Sequence, residues 1–133
     1  MIMGFKVRFK EPIKQGVKIH SVREDKKRRW RNAAGKTIHM STGVRTRQYE
    51  CFKNDAKVKS VHRIDIKIYE SKQSRAVNIF IDGRAIFATE VYQFIRNDGF
   101  ANITEFLDFF KNGLIDGTLI QWTDFDYNKT STY

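Results

Sequence analysis

The sequence predicts a mainly β domain of the α+β class: a small barrel or sandwich of about six short strands, with short helical turns and one late helix. Three observations support this prediction. Apolar and polar residues alternate in several short segments, turn-forming residues separate those segments, and one segment near the end has helical periodicity. Short strands with frequent turns are typical of small barrels and sandwiches.

The first predicted strand is GFKVRFK, in which Phe5, Val7 and Phe9 share one face and basic residues occupy the other. The segment EPIKQG after it has a proline near its start and Gly16 at its end, which is typical of a single helical turn. Further strands are predicted, in chain order, at VKIHSVR, KTIHMSTG, VRTRQYECF, SVHRIDIKIYE, RAVNIFI and GTLIQWTDF.

Two local signals place the turns and helices of the second half. Asp82-Gly83 is suited to the two-residue turn of a β-hairpin. Thr89 is a predicted cap for a short helix that ends near Arg96. Asn102 and Glu105 resemble a capping box, and apolar residues at helical spacing follow them, so we expect the late helix here, ending before Gly113.

The chain is predicted to form one domain over residues 1–127, followed by a frayed tail at 128–133. With 133 residues and 18 aromatic side chains it can bury a single core. The N-terminal segment has no apolar run long enough for a signal peptide, and no segment approaches the ~20 apolar residues of a membrane span. We therefore expect a soluble, cytoplasmic protein. The single cysteine, Cys51, cannot form an internal disulfide and is expected to be half-buried and inert.

Positive charge is concentrated in the first half of the chain. Residues 1–67 contain 19 Lys or Arg against 6 Asp or Glu, whereas residues 68–133 contain 6 against 9, within a net charge of +10. This asymmetry favours a polyanionic partner, with nucleic acid ahead of an anionic membrane surface. A basic surface that only keeps the protein in solution is the alternative.

Several kinds of chemistry have no support in the sequence. The histidines at 20, 39 and 62 lack the local spacing of metal ligands, and His62 is expected to be an ordinary strand histidine. No phosphate-binding glycine loop, dinucleotide fingerprint or G-x-S-x-G elbow is present. We therefore predict no metal and no cofactor.

Two segments resemble the ASCH domain family. In GVKIHSVRED, Gly16, Lys18, Ser21 and Arg23 match the family pattern G-x-K-x-x-[ST]-x-R, and NDGF at residues 97–100 lies in the loop before the late helix. The resemblance spans nearly the whole chain, and RWRNAAGKTIHMSTGVRTRQYECF and the closing IQWTDFDY resemble a phage-like or prophage-like subgroup. It implies a fold similar to the PUA-type β-barrel, with RNA or a modified nucleotide bound in a basic cleft.

One branch of that family is an amidohydrolase of acetylated cytidine that uses a lysine, a threonine and a glutamate. The resemblance places Lys18 at the lysine and Ser21 at the threonine. The glutamate position falls on Gly99, beside Asp98, so the resemblance implies Lys18, Ser21 and Asp98 as candidate catalytic residues.

These residue types have a plausible chemistry of their own. A partly desolvated lysine has a lowered pKa and can act as a base, here on Ser21 or on water, while Asp98 orients it and Arg23 stabilises an oxyanion or holds a phosphate. Lys18 and Ser21 would point to opposite faces of a regular strand. They can converge only if Lys18 lies on the turn after Gly16 or if the strand bulges.

A second basic segment, KKRRWR, combines five cations with an aromatic side chain, as single-stranded nucleic acid binding requires. Its alternative is a solvated loop whose tryptophan packs on the domain. Arg45 and Arg47 are predicted to extend this surface from one face of a strand. The predicted ligand-binding residues are Gly16, Arg23, Lys26, Lys27, Arg28, Arg29, Trp30, Arg31, Arg45 and Arg47.

Three functions therefore remain open: binding of RNA or a nucleotide, metal-free catalysis, and a phage-type role in which the chain binds a host protein. Catalysis includes hydrolysis of an acylated cytidine and cleavage of RNA, for which Lys18 or His20 is the candidate base. Apart from that alternative, His20 is expected to be a bystander. The sequence does not decide whether the protein is an enzyme, nor does it give the oligomeric state.

Overall fold

The computed structural model describes residues 1–127. The predicted tail at 128–133 lies outside the described residues. The elements, in chain order, are β1 (Ile2–Phe5), a 3-10 turn (Val7–Phe9), α1 (Lys10–Lys14), β2 (His20–Arg23), β3 (Thr37–Thr42), β4 (Glu50–Lys57), β5 (Ser60–Glu70), β6 (Arg75–Ile81), β7 (Arg84–Ile86), α2 (Thr89–Asn97), α3 (Ile103–Phe110) and β8 (Leu114–Gln121).

The strands form two sheets. The larger has the order β2-β8-β5-β6-β7 and is antiparallel throughout, and the smaller has the order β1-β3-β4 with β1 and β3 parallel. The predicted mainly β, α+β class is therefore correct, with eight strands instead of six. Within residues 1–127 the sheets do not close into a barrel, because β1 pairs with β3 and not with an edge of the larger sheet.

The first predicted strand is too long. β1 ends at Phe5, and the chain then turns into the 3-10 turn and α1, leaving Val7 73% exposed. Phe9 and Ile13 are both buried, and they are four residues apart, as on one face of a helix. Over so few residues, alternation cannot distinguish a strand from the start of this helical turn.

The segment VRTRQYECF is also only partly a strand. β4 begins at Glu50, and residues 43–49 form a loop in which the Thr46 hydroxyl and N–H both donate to the Gly43 carbonyl, at 2.7 and 2.9 Å. Arg45 and Arg47 therefore lie on a loop, and the prediction that they share a strand face is wrong.

Other local predictions are confirmed. Ile64 and Ile66 of β5 are buried, and Asp82 and Gly83 form the turn between β6 and β7. The Asn102 side chain accepts a hydrogen bond from the Glu105 N–H at 3.0 Å at the start of α3. The predicted Thr89 cap is not found, since α2 already begins at Thr89 and its flanking residue Ala88 makes no side-chain cap.

A single buried cluster connects both sheets with the helices. It contains Met3 and Met40 from the smaller sheet, Leu119 from the larger sheet, and Phe94 and Phe106 from α2 and α3. The two phenylalanine rings meet edge to face at 6.2 Å. In the described part of the chain, no helix is long and apolar enough to cross a membrane.

Candidate functional site

Lys18 lies on the turn that leaves α1. Gly16 has a φ of +77°, and the N–H groups of Val17 and Lys18 both donate to the Pro12 carbonyl, at 2.9 and 3.0 Å. The regular strand β2 begins only at His20. Lys18 is therefore outside the alternation of the strand, which meets the condition under which it can face the same side as Ser21. Gly16 serves this turn and lines no part of the cavity described below.

The Lys18 side chain is almost fully buried, at 2% exposure, and its partner is Asp98. Lys18 Nζ donates to the Asp98 backbone carbonyl at 2.5 Å and to Oδ1 of the Asp98 carboxylate at 3.3 Å, and it lies 4.6 Å from the centre of the Phe9 ring. Burial lowers the pKa of Lys18 from its usual value, while Asp98 opposes that shift. Asp98 caps the end of α2, so the helix fixes the carboxylate under the amine.

A chain of hydrogen bonds extends from Asp98 through His20. His20 Nδ1 lies 3.1 Å from Asp98 Oδ1, and Nε2 lies 2.6 Å from the Tyr127 hydroxyl. Asn97 Nδ2 donates to the same hydroxyl at 3.0 Å, and Gln93 Nε2 donates to Asn97 Oδ1 at 2.7 Å. The expectation that His20 is a bystander is therefore wrong, because its ring directly contacts the carboxylate that holds Lys18.

The directions in which the pKa values of His20 and Tyr127 shift show which atoms of this hydrogen-bond chain carry protons. Burial lowers the pKa of His20, so the ring is neutral and carries one N–H proton. Burial raises the pKa of Tyr127, so its hydroxyl keeps its proton. Tyr127 then donates to Nε2, and the His20 Nδ1–H donates to Asp98. The donors thus all point towards Asp98, which is acceptor-only when ionised.

Beside Lys18 is a cavity of about 180 Å³ with aromatic walls and a polar end. The polar end is formed by Lys18, Ser21, Arg23 and Asp98. The aromatic walls are formed by Phe5, Phe9, Phe100, Phe109 and Phe110. Pockets for drug-sized ligands are about 300–1,000 Å³, so this one has room for a single flat ring. The structure therefore brings the predicted Lys18, Ser21 and Asp98 to one cavity.

Arg23 lines this cavity and also a second, more open space beside it. Its guanidinium donates to the Gly4 carbonyl at 2.8 Å and lies 5.1 Å from the centre of the Phe5 ring. Its Nε is buried and has no hydrogen-bond partner within residues 1–127. A buried N–H without a partner is costly, and an acceptor group on a ligand would satisfy it.

Gly99, the position that the family resemblance assigns to a glutamate, has no room for a side chain. Its φ is +95°, and a Cβ atom there would lie 2.9 Å from Lys18 Cδ and 3.1 Å from Phe9 Cδ1. A side chain at this position would push Lys18 out of place. Asp98, one residue earlier, supplies the carboxylate instead.

A second, more open groove of about 640 Å³ begins where the cavity ends. Arg23 and Gly4 line both spaces, and Arg29, Arg45 and Tyr49 line the groove further along. Arg29 and Arg45 are exposed, and Tyr49 is 45% exposed. The groove is thus a basic path with one available aromatic ring.

Trp30 does not provide the stacking surface predicted for it. It belongs to the buried core with 8% exposure, and the Arg29 guanidinium lies 4.8 Å from its ring centre. A base therefore has no open indole face on which to stack. Trp30 contributes to the lining of the groove only through the small part of its side chain that is exposed. Tyr49, which no sequence pattern marks, is the exposed aromatic residue of the groove.

The remaining basic residues divide into paired and exposed groups. Arg28 and Arg31 bind the Asp116 carboxylate at 3.0 and 3.2 Å, which fastens their loop to β8, so they are not placed at the cavity. Lys26 lies 3.9 Å from Glu24. The predicted Lys27 and Arg47 are exposed and line neither the cavity nor the groove.

Two further predictions concern metals and Cys51. In residues 1–127, His, Cys, Asp and Glu side chains do not form a group of three or more that could hold a metal ion. Cys51 is exposed, contrary to the expectation of a half-buried thiol, because it lies near the start of edge strand β4.

The sequence carried little signal for His20 and Tyr127 as partners. His20 alternates with Ser21 on β2 and so faces the opposite side of the strand, and Tyr127 lies in an irregular segment 107 residues away. The aromatic walls had a weak signal, because two of them, Phe109 and Phe110, are adjacent at the end of one short helix.

Comparisons with family models, with curated proteins and with solved structures find no match to this chain.

Proposed function

We propose that this protein binds single-stranded RNA by enclosing one base in the aromatic cavity, with the adjacent phosphate at Arg23. The observation that carries the proposal is the cavity itself. It is of single-ring size, has phenylalanine walls, and ends in Lys18, Ser21 and Asp98, which offer donors and an acceptor to the edge of a base. The resemblance of Gly16, Lys18, Ser21 and Arg23 to the ASCH motif, and the PUA-like architecture it implies, support the same proposal.

The charged residues around the cavity indicate the path that an RNA strand would take across the surface. Arg23 stands between the cavity and the groove, with an Nε–H that has no partner in the described part of the chain. Arg29 and Arg45 supply cations further along, and Tyr49 supplies a ring for a neighbouring base. The ligand is therefore a nucleotide within a strand, because a free nucleoside would leave the groove unused.

The test measures binding of short fluorescent single-stranded RNAs by anisotropy at increasing salt concentration. We expect affinity to fall with salt. Arg23→Gln should weaken binding about tenfold at low salt and by a smaller factor at high salt, which gives a shallower salt dependence. Lys72→Gln is the control, because it removes an exposed charge outside the cavity and groove. Salt-independent binding, or equal losses in both variants, contradicts the proposal.

A second candidate function is hydrolysis of an N-acylated cytidine in the same cavity. The observation that favours it is the buried Lys18, held by Asp98 and facing the space that Ser21 lines. A neutral Lys18 can take the proton of Ser21 or of water as the acyl carbon is attacked, and return it to the leaving amine. Arg23 is placed to stabilise the oxyanion, and water completes the reaction to cytidine and a carboxylate.

The hydrolase candidate predicts a particular pH dependence. Burial lowers the pKa of Lys18, and the reactive form is the neutral amine. The rate of cytidine release from N-acetylcytidine should therefore rise with pH and level off below pH 10.5, the usual pKa of a lysine. Lys18→Met should remove at least about 99% of the rate, since general-base catalysis contributes about 100-fold or more. Equal turnover by wild type and Lys18→Met excludes this mechanism.

A further inference from the structure

A second group of side chains with catalytic geometry lies outside the cavity described above. Ser60 Oγ is 3.1 Å from His62 Nε2, and His62 Nδ1 is 2.7 Å from Asp82 Oδ2. Ser60 and His62 are two residues apart on β5 and so point to the same side of the strand. Asp82 reaches them from the turn between β6 and β7. A serine, a histidine and an aspartate thus stand in the order of a catalytic triad.

The surrounding backbone fixes this arrangement. The other carboxylate oxygen of Asp82, Oδ1, accepts a hydrogen bond from the Arg63 N–H at 3.0 Å, and the Asp82 N–H donates to the Arg63 carbonyl at 2.9 Å. With both its oxygens used, the carboxylate holds the His62 ring by an Nδ1–H bond. Nε2 is then left as the acceptor for the Ser60 hydroxyl proton, which is the tautomer that a general base needs.

Ser60 and His62 also open into a cavity of about 230 Å³, whose other lining residues are Lys59, Thr123, Asp124, Phe125 and Asp126. This cavity shares no residue with the one beside Lys18. The His62 side chain is 22% exposed, so a small molecule can reach it. Gln121 Nε2 donates to Ser60 Oγ at 3.5 Å, so the hydroxyl lies between this amide and His62 Nε2.

We propose that Ser60, His62 and Asp82 form an acyl-transfer site that hydrolyses small carboxylic esters. Ser60 Oγ attacks the ester carbonyl carbon while its proton passes to His62 Nε2. The tetrahedral oxyanion collapses, the C–O bond to the alcohol breaks, and the alcohol leaves with the proton from His62. Water then attacks the acyl-Ser60 ester and gives a proton to His62. The bond between the acyl carbon and Ser60 Oγ breaks, His62 returns the proton to Oγ, and the carboxylic acid leaves.

The lining of the cavity indicates the class of ester. Phe125 offers an apolar wall for a short acyl or aryl group. Asp124 and Asp126 place two carboxylates in the lining, against the single cation of Lys59. Esters with a neutral or positively charged acyl group are therefore favoured over anionic ones. Asp82 contacts only His62 in this group, so it acts as a positioning residue and not as a catalytic one.

The test uses the full chain and a fluorophosphonate probe, with peptide mass spectrometry to locate the labelled serine, and p-nitrophenyl acetate as substrate. We expect label on Ser60 in the wild-type protein. His62→Gln should abolish labelling, and Asp82→Asn should slow it at least about tenfold, because triads lose their orientation without the aspartate. Ser74→Ala is the control. Ser74 is an exposed serine in the turn between β5 and β6, and this variant should be labelled like wild type.

The wild-type measurement does not depend on how any variant folds. Absence of label on Ser60, or labelling that persists at the same rate in His62→Gln, overturns the proposal. A purely structural role makes a different prediction: Asp82→Asn would lower the melting temperature, and the wild-type protein would not be labelled at Ser60.

Discussion

Replacing Asp98 with alanine is expected to lower the free energy of unfolding by about 3–5 kcal/mol, the usual cost of removing one partner of a buried ion pair. The loss follows from the position of Lys18. Its amine is buried and donates two hydrogen bonds to Asp98. The substitution removes the bond to the carboxylate and keeps the bond to the backbone carbonyl. Without the carboxylate, Lys18 is left either as an unpaired buried charge or as a neutral amine, and His20 Nδ1 loses its acceptor. Urea unfolding followed by circular dichroism measures the change.

Two controls separate the charge effect from simple loss of a side chain. Asp108→Ala removes a carboxylate that pairs with Arg75 at 2.7 Å on the surface, and it should change stability little. Lys18→Met combined with Asp98→Ala should recover about 2 kcal/mol of the single-variant loss, because an apolar side chain then replaces the unpaired amine. A double variant no more stable than Asp98→Ala alone would show that the buried amine is not the cause.

Replacing Gly99 with alanine is the second large effect that we expect, a loss of more than about 2 kcal/mol in the free energy of unfolding. The positive φ alone costs about 1–3 kcal/mol for a residue with a Cβ atom. The new atom also lies 2.9 Å from Lys18 Cδ and 3.1 Å from the Phe9 ring, so both side chains must move. The displaced Lys18 alters the lining of the cavity, so the proposed binding of RNA should weaken as well.

Gly35→Ala is the matched control for this variant. Gly35 has a φ of +84°, close to that of Gly99, but a Cβ atom there meets no atom within 4 Å. It therefore incurs the backbone cost without the collision. Thermal unfolding of the two variants compares them directly. Equal losses in both would mean that the contact with Lys18 contributes nothing.

The parts of the fold that could be predicted are those whose cause is local. The hairpin turn at Asp82-Gly83 and the cap at Asn102 each depend on neighbours within a few residues, and both appear as predicted. The end of β1 could not be predicted in this way. Val7 and Phe9 alternate as a strand would, but Phe9 and Ile13 bury one side of a helical turn, which only the packing decides.

The residues of the candidate site likewise fall into those that a local sequence pattern marks and those that only the tertiary structure brings together. Lys18, Ser21 and Arg23 could be selected because one short motif contains them, and Asp98 because of its loop. His20 and Tyr127 meet only through the tertiary structure, so no spacing pattern marked them. Trp30 was predicted to bind the ligand, but its alternative, packing on the domain, is what the structure shows. A tryptophan within a run of cations gives the same sequence pattern whether its ring faces solvent or the core. The pairing of Ser60 with His62 had a signal, since both face one side of β5, but Asp82 joins them only through the β6–β7 turn.

The position of β8 has a consequence for how the site forms during synthesis. In the described sheet β8 lies between β2 and β5, so the earliest strand of that sheet has the latest as its only neighbour. A ribosome releases Ser21 and Arg23 almost a hundred residues before the strand that will hold them. Contacts between such distant residues form slowly compared with local ones. The nascent chain therefore carries β2 without its sheet neighbour, and the cavity beside Lys18 is among the last features to be completed.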